Sequence, residues 1–416
     1  MIEDRDLFER AATWFDPPGD ILERMTLRRD RRRRNRRLGT AAMALIVAAI
    51  SAAVLVRAFG NVGRHVPAVR PPIGTIVFSR SLDGRQTYLY AERSDGVPYL
   101  LTNRQFDVFS ISSDGSQVLY PGRSDPAVVD ISGSHPRHLR PNVSMFPFAW
   151  SPDGTRIVGL GFPVRRSTGL YTARASDGGD QIQVTSQRQD AAIGYSPDGS
   201  RILFLRLANN HAGPSNGPRD LFCVNMDGSG LVRLNPRQTV LGPFDIGVAG
   251  TPPNPVWDLR SASWSPDGTR VAFAAAVVTP GDARLADVPR GLFVVNVDGT
   301  DAHQIVPSGQ ILDAQWSPDG RWIAFTEANP DRPDIFIVHP DGTGLHAITS
   351  SSDGLASWGP VWGPDSSALL FVRNAGLGQF DSELWVANVD GSGLMQFTDR
   401  SGYYFSYGWS SVPRSS

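Results

Sequence analysis

Lysine is missing from this sequence: all 40 basic residues are Arg. The simplest source is a GC-rich coding sequence that favours Arg codons, not a demand of surface chemistry. Cysteine is almost missing too, and a single Cys223 excludes an intramolecular disulfide and a Cys-rich zinc site. No sign of charge dominates, because 40 Arg against 41 acids leave a net of −1. That balance argues against a nucleic-acid coat. With 41% apolar and 19% charged residues the chain is also too apolar for a disordered protein. Gly and Pro are plentiful, 42 and 32 of 416 residues, yet they stay below low-complexity levels and imply many turns. The length alone suggests about three domains at roughly 150 residues each.

Long uncharged apolar runs are scarce as well, with one exception. Arg28 to Arg37 reads RRDRRRRNRR, and Leu38 to Val56 follows as 19 residues without a charge. A helix of that length spans about 28 Å at 1.5 Å per residue, close to the hydrocarbon thickness of roughly 30 Å. Arg beside a spanning helix stays cytoplasmic, so the N-terminus is expected inside and everything after Arg57 outside. A cleaved signal peptide would have a shorter apolar core behind a shorter basic segment. Position thus accounts for the Arg run, and no nucleic-acid partner is expected. The expected division is a cytosolic amphipathic, Arg-rich tail at 1–37, a transmembrane helix at 38–57, a Pro/Gly spacer at 58–72 and a β domain at 73–412. Within the tail, Leu7, Phe8, Ala11, Trp14 and Phe15 fall at helical spacing before Asp16-Pro17-Pro18-Gly19 breaks the pattern. Such a segment suits the inner leaflet surface or a cytosolic partner.

The remainder is a repeat. An aromatic residue followed by Ser-Pro-Asp-Gly recurs at Trp150–Gly154, Tyr195–Gly199, Trp264–Gly268 and Trp316–Gly320, with weaker copies at Ile111–Gly115 and Trp362–Ser366. Trp409-Ser410 begins another. The Asp-to-Asp intervals are 39, 45, 69, 52 and 46 residues. Periods of about 40–50 residues built of short strands indicate a β-propeller with one four-stranded blade per repeat. In the repeat that starts at Ala191, strand A is Ala191–Tyr195, strand B Arg201–Leu207, strand C Leu221–Met226 and strand D Leu231–Asn235. Strands B and C are almost continuously apolar, as strands buried on both faces are. The seven A strands end at Ile111, Trp150, Tyr195, Trp264, Trp316, Trp362 and Trp409. The domain opens with a B strand, Gly74–Ser79, and closes with an A strand, Tyr404–Trp409. The last strand is therefore expected to complete the first blade, which hides the open edges. The fold expected is all-β, a seven-bladed propeller, with six blades as the alternative because the 112–145 repeat is least regular.

The Trp-Ser-Pro-Asp-Gly-x-Arg-[Ile/Val] unit followed by an Asp-Gly-[Ser/Thr]-Gly hairpin resembles the TolB-like, WD-repeat-like propeller family over about 340 residues. The resemblance implies a propeller that binds a protein partner in the cell envelope. TolB itself has an α/β domain ahead of its propeller, where this chain has the apolar run and spacer. Prolyl-oligopeptidase-type enzymes use a similar propeller beside a catalytic domain, for which the sequence offers no candidate.

Motifs that suggest chemistry have plainer explanations. Gly213-Pro214-Ser215-Asn216-Gly217 fits G-x-S-x-G but lies in a Gly/Pro-rich loop, not between a strand and a helix. His135 and His138 have H-x-x-H spacing without a Glu, and Pro136 opposes a helix, so no metal site is expected. The Asp-Gly hairpins at 225–230, 296–301, 339–344 and 388–393 are too short for an EF-type calcium loop and suit tight turns. No acid–base pair stands out, so no catalytic residue, no cofactor and no enzymatic activity is expected.

Loop lengths point to a binding face. In a four-stranded antiparallel blade the A–B and C–D turns share one face of the disc, and the B–C and D–A connections share the other. The long connections, Ala208–Arg219, Pro236–Arg260 and Val277–Arg290, all belong to the second kind. Loops on a rigid scaffold are where binding usually resides. Pro236–Arg260 carries Leu241, Phe244 and Trp257, apolar groups that either meet a partner or fold back over the disc. At the same face the starts of the A strands put Asp107, Asp190, Arg260, Asp313, Trp358 and Tyr404 around the channel mouth. The expectation is a membrane-anchored, extracytoplasmic scaffold or receptor for an envelope protein. One alternative is a glycan-binding or carbohydrate-active propeller that uses the mouth. Another is a transmembrane sensor that signals to residues 1–37.

Overall fold

The computed structural model describes residues 74–410, apart from 82–85, 94–96, 103–107, 123–124, 163–168, 188–189, 208–218, 238, 242–261, 278–289, 329–331, 375–381 and 399–401. The expected tail, membrane helix and spacer lie outside the described residues. Among the described residues no helix is long and apolar enough to cross a membrane.

Seven separate antiparallel sheets are present, which decides between seven blades and six. Blade 1 contains Thr75–Ser81, Thr87–Arg93 and Tyr99–Thr102 as strands B, C and D, and its strand A is Tyr403–Trp409 from the far end of the chain. Ile76 pairs with Trp409 and Phe78 with Tyr407, so the ring closes as expected. The irregular repeat is a full blade 2, from Ser110–Ile111 to Arg137–His138. Blade 3 runs from Met145–Trp150 to Ile182–Gln183.

Blade 4 has Ala191–Tyr195, Arg201–Leu207, Arg219–Asn225 and Val232–Arg233 in order. Its strands A and B match expectation, strand C starts two residues earlier and strand D is shorter. Blade 5 has Ala262–Trp264, Arg270–Val277, Arg290–Asn296 and His303–Gly309. It carries an additional strand, Thr239–Val240, which pairs with the end of its strand B. Blade 6 spans Gln315–Trp316, Ile323–Glu327, Asp334–Val338 and His346–Ala347. Blade 7 spans Ala356–Trp362, Ala368–Asn374, Ser382–Asn388 and Met395–Gln396.

The core is distributed over the seams between blades. Leu203, Leu205 and Cys223 of blade 4 pack with Val271 and Phe273 of blade 5, while Ile202, Phe204 and Val224 of blade 4 pack with Val158 and Leu160 of blade 3. Alternate residues of one strand thus enter two cores, which is why strands B and C read as continuous apolar runs. The closing seam is built alike, with Ile76, Phe78 and Tyr404 of blade 1 against Leu370, Val372 and Leu384 of blade 7.

The Ser-Pro-Asp-Gly turns are self-contained. In the turn before strand B of blade 4, Ser196 Oγ donates to Asp198 at 2.5 Å, the Ser200 amide donates to the same carboxylate at 3.0 Å, and the Arg201 amide donates to Ser196 Oγ at 2.9 Å. Blades 2, 3, 5 and 6 repeat this bonding at Asp114, Asp153, Asp267 and Asp319. The Gly after the Asp has φ near 70°, such as 70° at Gly154 and 75° at Gly199, where a side chain is strained. Blade 7 places Ser366 there at φ 61°, and the Ser366 hydroxyl accepts the Asp319 amide of blade 6 at 3.0 Å.

Candidate functional site

Four of the residues expected to form the mouth, Asp190, Asp313, Trp358 and Tyr404, are described. Asp107, Arg260, Phe244 and Trp257 lie outside the described residues. Asp190 is fully buried and takes a two-pronged bond from Arg206, Nε at 2.9 Å and Nη2 at 2.8 Å. Asp313 is buried and accepts from Thr326 Oγ1 at 2.7 Å. The same Thr326 oxygen accepts the Gly359 amide at 3.1 Å, which ties blade 6 to blade 7. Trp358 is half-buried, and its carbonyl accepts from the Tyr407 hydroxyl at 3.1 Å. Tyr404 is buried, its ring 5.5 Å from that of Phe78. Burial pushes the Tyr404 phenol pKa up, opposed by hydrogen bonding to Thr398 and Arg80.

The four described residues therefore do not ring an open mouth as free groups. They join strands and blades, and any ligand would meet a rim that these bonds hold rigid. Leu241 is corrected in the same way. It is fully buried in the core between blades 4 and 5, and its amide donates to the Arg219 carbonyl at 2.8 Å. The first part of the long connection thus folds back onto the scaffold, and Leu241 presents no surface to a partner.

Sequence reasoning missed the arginines of this end. Arg80, Arg206 and Arg373 each lie two residues after a Phe on strand B: Phe78, Phe204 and Phe371. Where the Ser-Pro-Asp-Gly-type turn is present the Arg falls eight residues after its Asp, from Asp198 to Arg206 and from Asp365 to Arg373. The signal was in the repeat, and an alignment of strand B ends would have found it. Blade 6 has Glu327 at that position, facing Asp334 across the ladder. Burial and the Asp334 charge together raise the Glu327 pKa. Asp334 accepts from Thr349 Oγ1 at 2.9 Å and from the Ser351 amide at 3.1 Å. Two further cations, Arg219 and Arg290, start strands C of blades 4 and 5 and are buried. Burial pushes the Arg219 pKa down to about 10, against the pull of Asp190.

A cleft of about 480 Å³ runs along the seam between blades 3 and 4, lined by Gln183, Thr185, Arg206, Val224, Asp227 and Leu231. Arg206 thus belongs both to the Asp190 pair and to the cleft wall. Among the described residues no group of three or more His, Cys, Asp and Glu is placed to hold a metal ion.

No family model matches the chain. Curated relatives match over short stretches. The Tol-Pal system protein TolB of Syntrophus aciditrophicus (strain SB) is 41% identical over 83 residues, 20% of this chain and 17% of that protein. The Tol-Pal system protein TolB of Anaeromyxobacter dehalogenans (strain 2CP-C) is 31% identical over 121 residues, 28% of this chain and 26% of that protein. The propeller is TolB-like. The chain spans only about a sixth to a quarter of the length of those relatives.

Solved structures share the fold at low identity. An oligogalacturonate lyase in complex with manganese superposes with a TM-score of 0.56 at 14% identity, over 76% of this chain and 86% of that one. An acylaminoacyl peptidase of Pyrococcus horikoshii gives 0.54 at 14% identity, over 80% and 52%. These correct the expectation that the TolB-like chain is no enzyme. A lyase and a peptidase are built on this fold, so a missing nucleophile motif and tight hairpins do not exclude catalysis.

Proposed function

We propose that this chain is a membrane-anchored, extracytoplasmic TolB-like propeller that docks a protein of the cell envelope on its B–C and D–A loop face. The observation that carries the proposal is the sequence match to TolB proteins, which are named as Tol-Pal system components. The strand ends that all three long connections join lie at one end of the ring, which supports the choice of face. The Arg run and the 19 uncharged residues after it support an anchor at 38–57 with residues 1–37 in the cytoplasm. Reporter fusions at residue 60 and at the N-terminus test that topology, and activity of an extracytoplasmic reporter at the N-terminus would refute it.

Docking is tested by cross-linking and affinity capture from native membranes, comparing the intact chain with a deletion of 243–258. The deletion spares Thr239–Leu241, which the scaffold needs for its ladder and core. A partner retained by the intact chain and lost in the deletion is the expected result. Equal capture by both moves the docking site away from this loop.

A further inference from the structure

Two seams at the tight-turn end are crossed by a side chain from the start of strand D. In blade 2 that side chain is Arg137, opposite Val128 of strand C, and in blade 6 it is His346, opposite Ile337. Arg137 Nη1 reaches blade 3 and donates to the Ala175 carbonyl at 2.9 Å and to that of Ser176 at 2.6 Å. His346 Nε2 reaches blade 7 and lies 3.1 Å from the Val389 carbonyl oxygen. The two acceptors are equivalent in the repeat. The Ala175 amide donates to Thr155 and the Val389 amide to Ser367, each two residues after the Asp of its own A–B turn. One seam therefore uses a permanent cation where the other uses an imidazole.

The second ring nitrogen of His346 is engaged as well. Nδ1 lies 2.8 Å from the Gly344 carbonyl oxygen. Blade 5 repeats that contact at His303, whose Nδ1 is 2.8 Å from the Asp301 carbonyl, so this bond belongs to the hairpin itself. A carbonyl oxygen only accepts, and a neutral imidazole has one N–H. Both contacts of His346 are hydrogen bonds only when the ring carries two protons. With a proton on Nδ1 alone, a nitrogen lone pair faces the Val389 oxygen.

The charged and titratable groups around the ring come from both blades. On blade 7, bonds from Ser392 hold the Asp390 carboxyl below its usual range, and the His346 charge adds a smaller push the same way. On blade 6, Trp322 meets the His346 ring edge-on with centroids 5.2 Å apart, and stacks on His339 at 3.7 Å. His339 Nδ1 bonds the Arg321 carbonyl at 2.9 Å, Asp341 lies near His339, and the Arg321 side chain is 3.7 Å from Asp319.

We propose that His346 is a pH-sensitive latch between blades 6 and 7: the imidazolium bonds the Gly344 and Val389 carbonyls together, and loss of the Nε2 proton releases Val389. The sign follows from linkage. A group held in its charged form by the fold adds stability when imidazoles are protonated, and the addition disappears as pH rises through their range of about 5 to 8.

The test is thermal unfolding of the full-length chain in detergent at about pH 5.5 and pH 8 and matched ionic strength, for the natural chain, His346→Gln, His346→Arg and Arg137→Gln. Relative to His346→Gln, the natural chain should unfold roughly 2 °C higher at the lower pH and at the same temperature at the higher one. His346→Arg, which copies the blade 2 bond, should keep that advantage at both. Arg137→Gln should lower the midpoint equally at both. A His346→Gln offset that is the same at the two pH values, or an Arg variant that loses its advantage at the higher one, would overturn the proposal. Hydrogen exchange of the natural chain, corrected for the intrinsic pH effect, carries the test if the variants fold poorly. The blade 7 hairpin at 388–393 should lose protection by roughly threefold at the higher pH while the blade 3 hairpin at 174–179, held by Arg137, does not change. The same change in both hairpins would overturn it as well.

Discussion

The two ends of the disc are built on opposite terms. At the tight-turn end, five turns repeat one set of bonds, with the Ser hydroxyl 2.5–2.6 Å and the backbone amide 3.0–3.1 Å from a single Asp. Every partner lies within five residues of the others. At the loop end no two seams agree: Arg206 has Asp190, Arg373 has Asp353 and Ser357, Arg80 has a phenol beside it, and blade 6 substitutes Glu327. The lesson is that this propeller repeats what is bonded locally and varies what is bonded across elements. Variation at one end of a fixed ring is what a binding face requires.

The largest test of the contrast removes a carboxylate at the loop end. Asp190→Ala leaves Arg206 partly buried without its partner and should cost about 3 kcal/mol, read as a lower denaturation midpoint. Equal stability would mean that the pair is no more than a surface contact. Next come two glycines. At Gly74, φ 130°, an added Cβ would sit 2.3 Å from the Ser410 carbonyl oxygen, where the ring closes, whereas at Gly154, φ 70°, nothing lies within 4 Å. Gly154→Ala should cost about 1 kcal/mol from backbone strain alone, and Gly74→Ala clearly more. A reversed order in thermal unfolding would show that the closure yields more easily than the turns.

Acid separates the ends further. The Asp198 pKa is lowered to about 2 by its bonds from Ser196 and Ser200, and Asp153 and Asp267 are shifted the same way by their own turns. A depressed carboxylate contributes stability above its unfolded pKa of about 3.9, and the contribution fades as pH falls toward the folded value. Asp198→Asn should flatten the stability loss between about pH 4 and pH 2. An unchanged slope would deny the turn its electrostatic role. Glu327 has the opposite sign. Its raised pKa means that stability declines as pH rises from the unfolded value of about 4.3 through the folded one. Glu327→Gln should remove that small decline, seen as a flatter midpoint between about pH 4 and pH 7. A steeper one would contradict the burial argument.

Much of the architecture was legible from residue order. Seven A-strand aromatics, the Ser-Pro-Asp-Gly turns and a domain that begins with strand B and ends with strand A predict seven blades and their closure, because each signal is a short-range bond or a period of two. The blade 4 strand limits came within a few residues for the same reason. The site was less legible. Asp190, Asp313 and Tyr404 lie at or beside the starts of their strands, yet their burial and partners depend on residues 13 to 16 positions away or, for Tyr404, at the opposite end of the domain's chain. Leu241 looked like a loop residue, and only its bridge to Arg219 draws it into the core. The arginines were overlooked because the aromatic-turn signature ends before they begin.

The sequence by itself determined the ring: the number of blades, the turns and the strand that closes it follow from contacts that each repeat makes within itself. Only the tertiary structure decided how each charge at the loop end is used. The Phe-x-Arg spacing recurs in blades 1, 4 and 7, but whether a carboxylate reaches the guanidinium depends on where a different strand or connection comes to rest. Blade 4 delivers Asp190, blade 7 delivers Asp353, and blade 1 delivers Tyr404 to Arg80. Local bonding recurs with the repeat, while charge pairing depends on the fold that brings distant residues together.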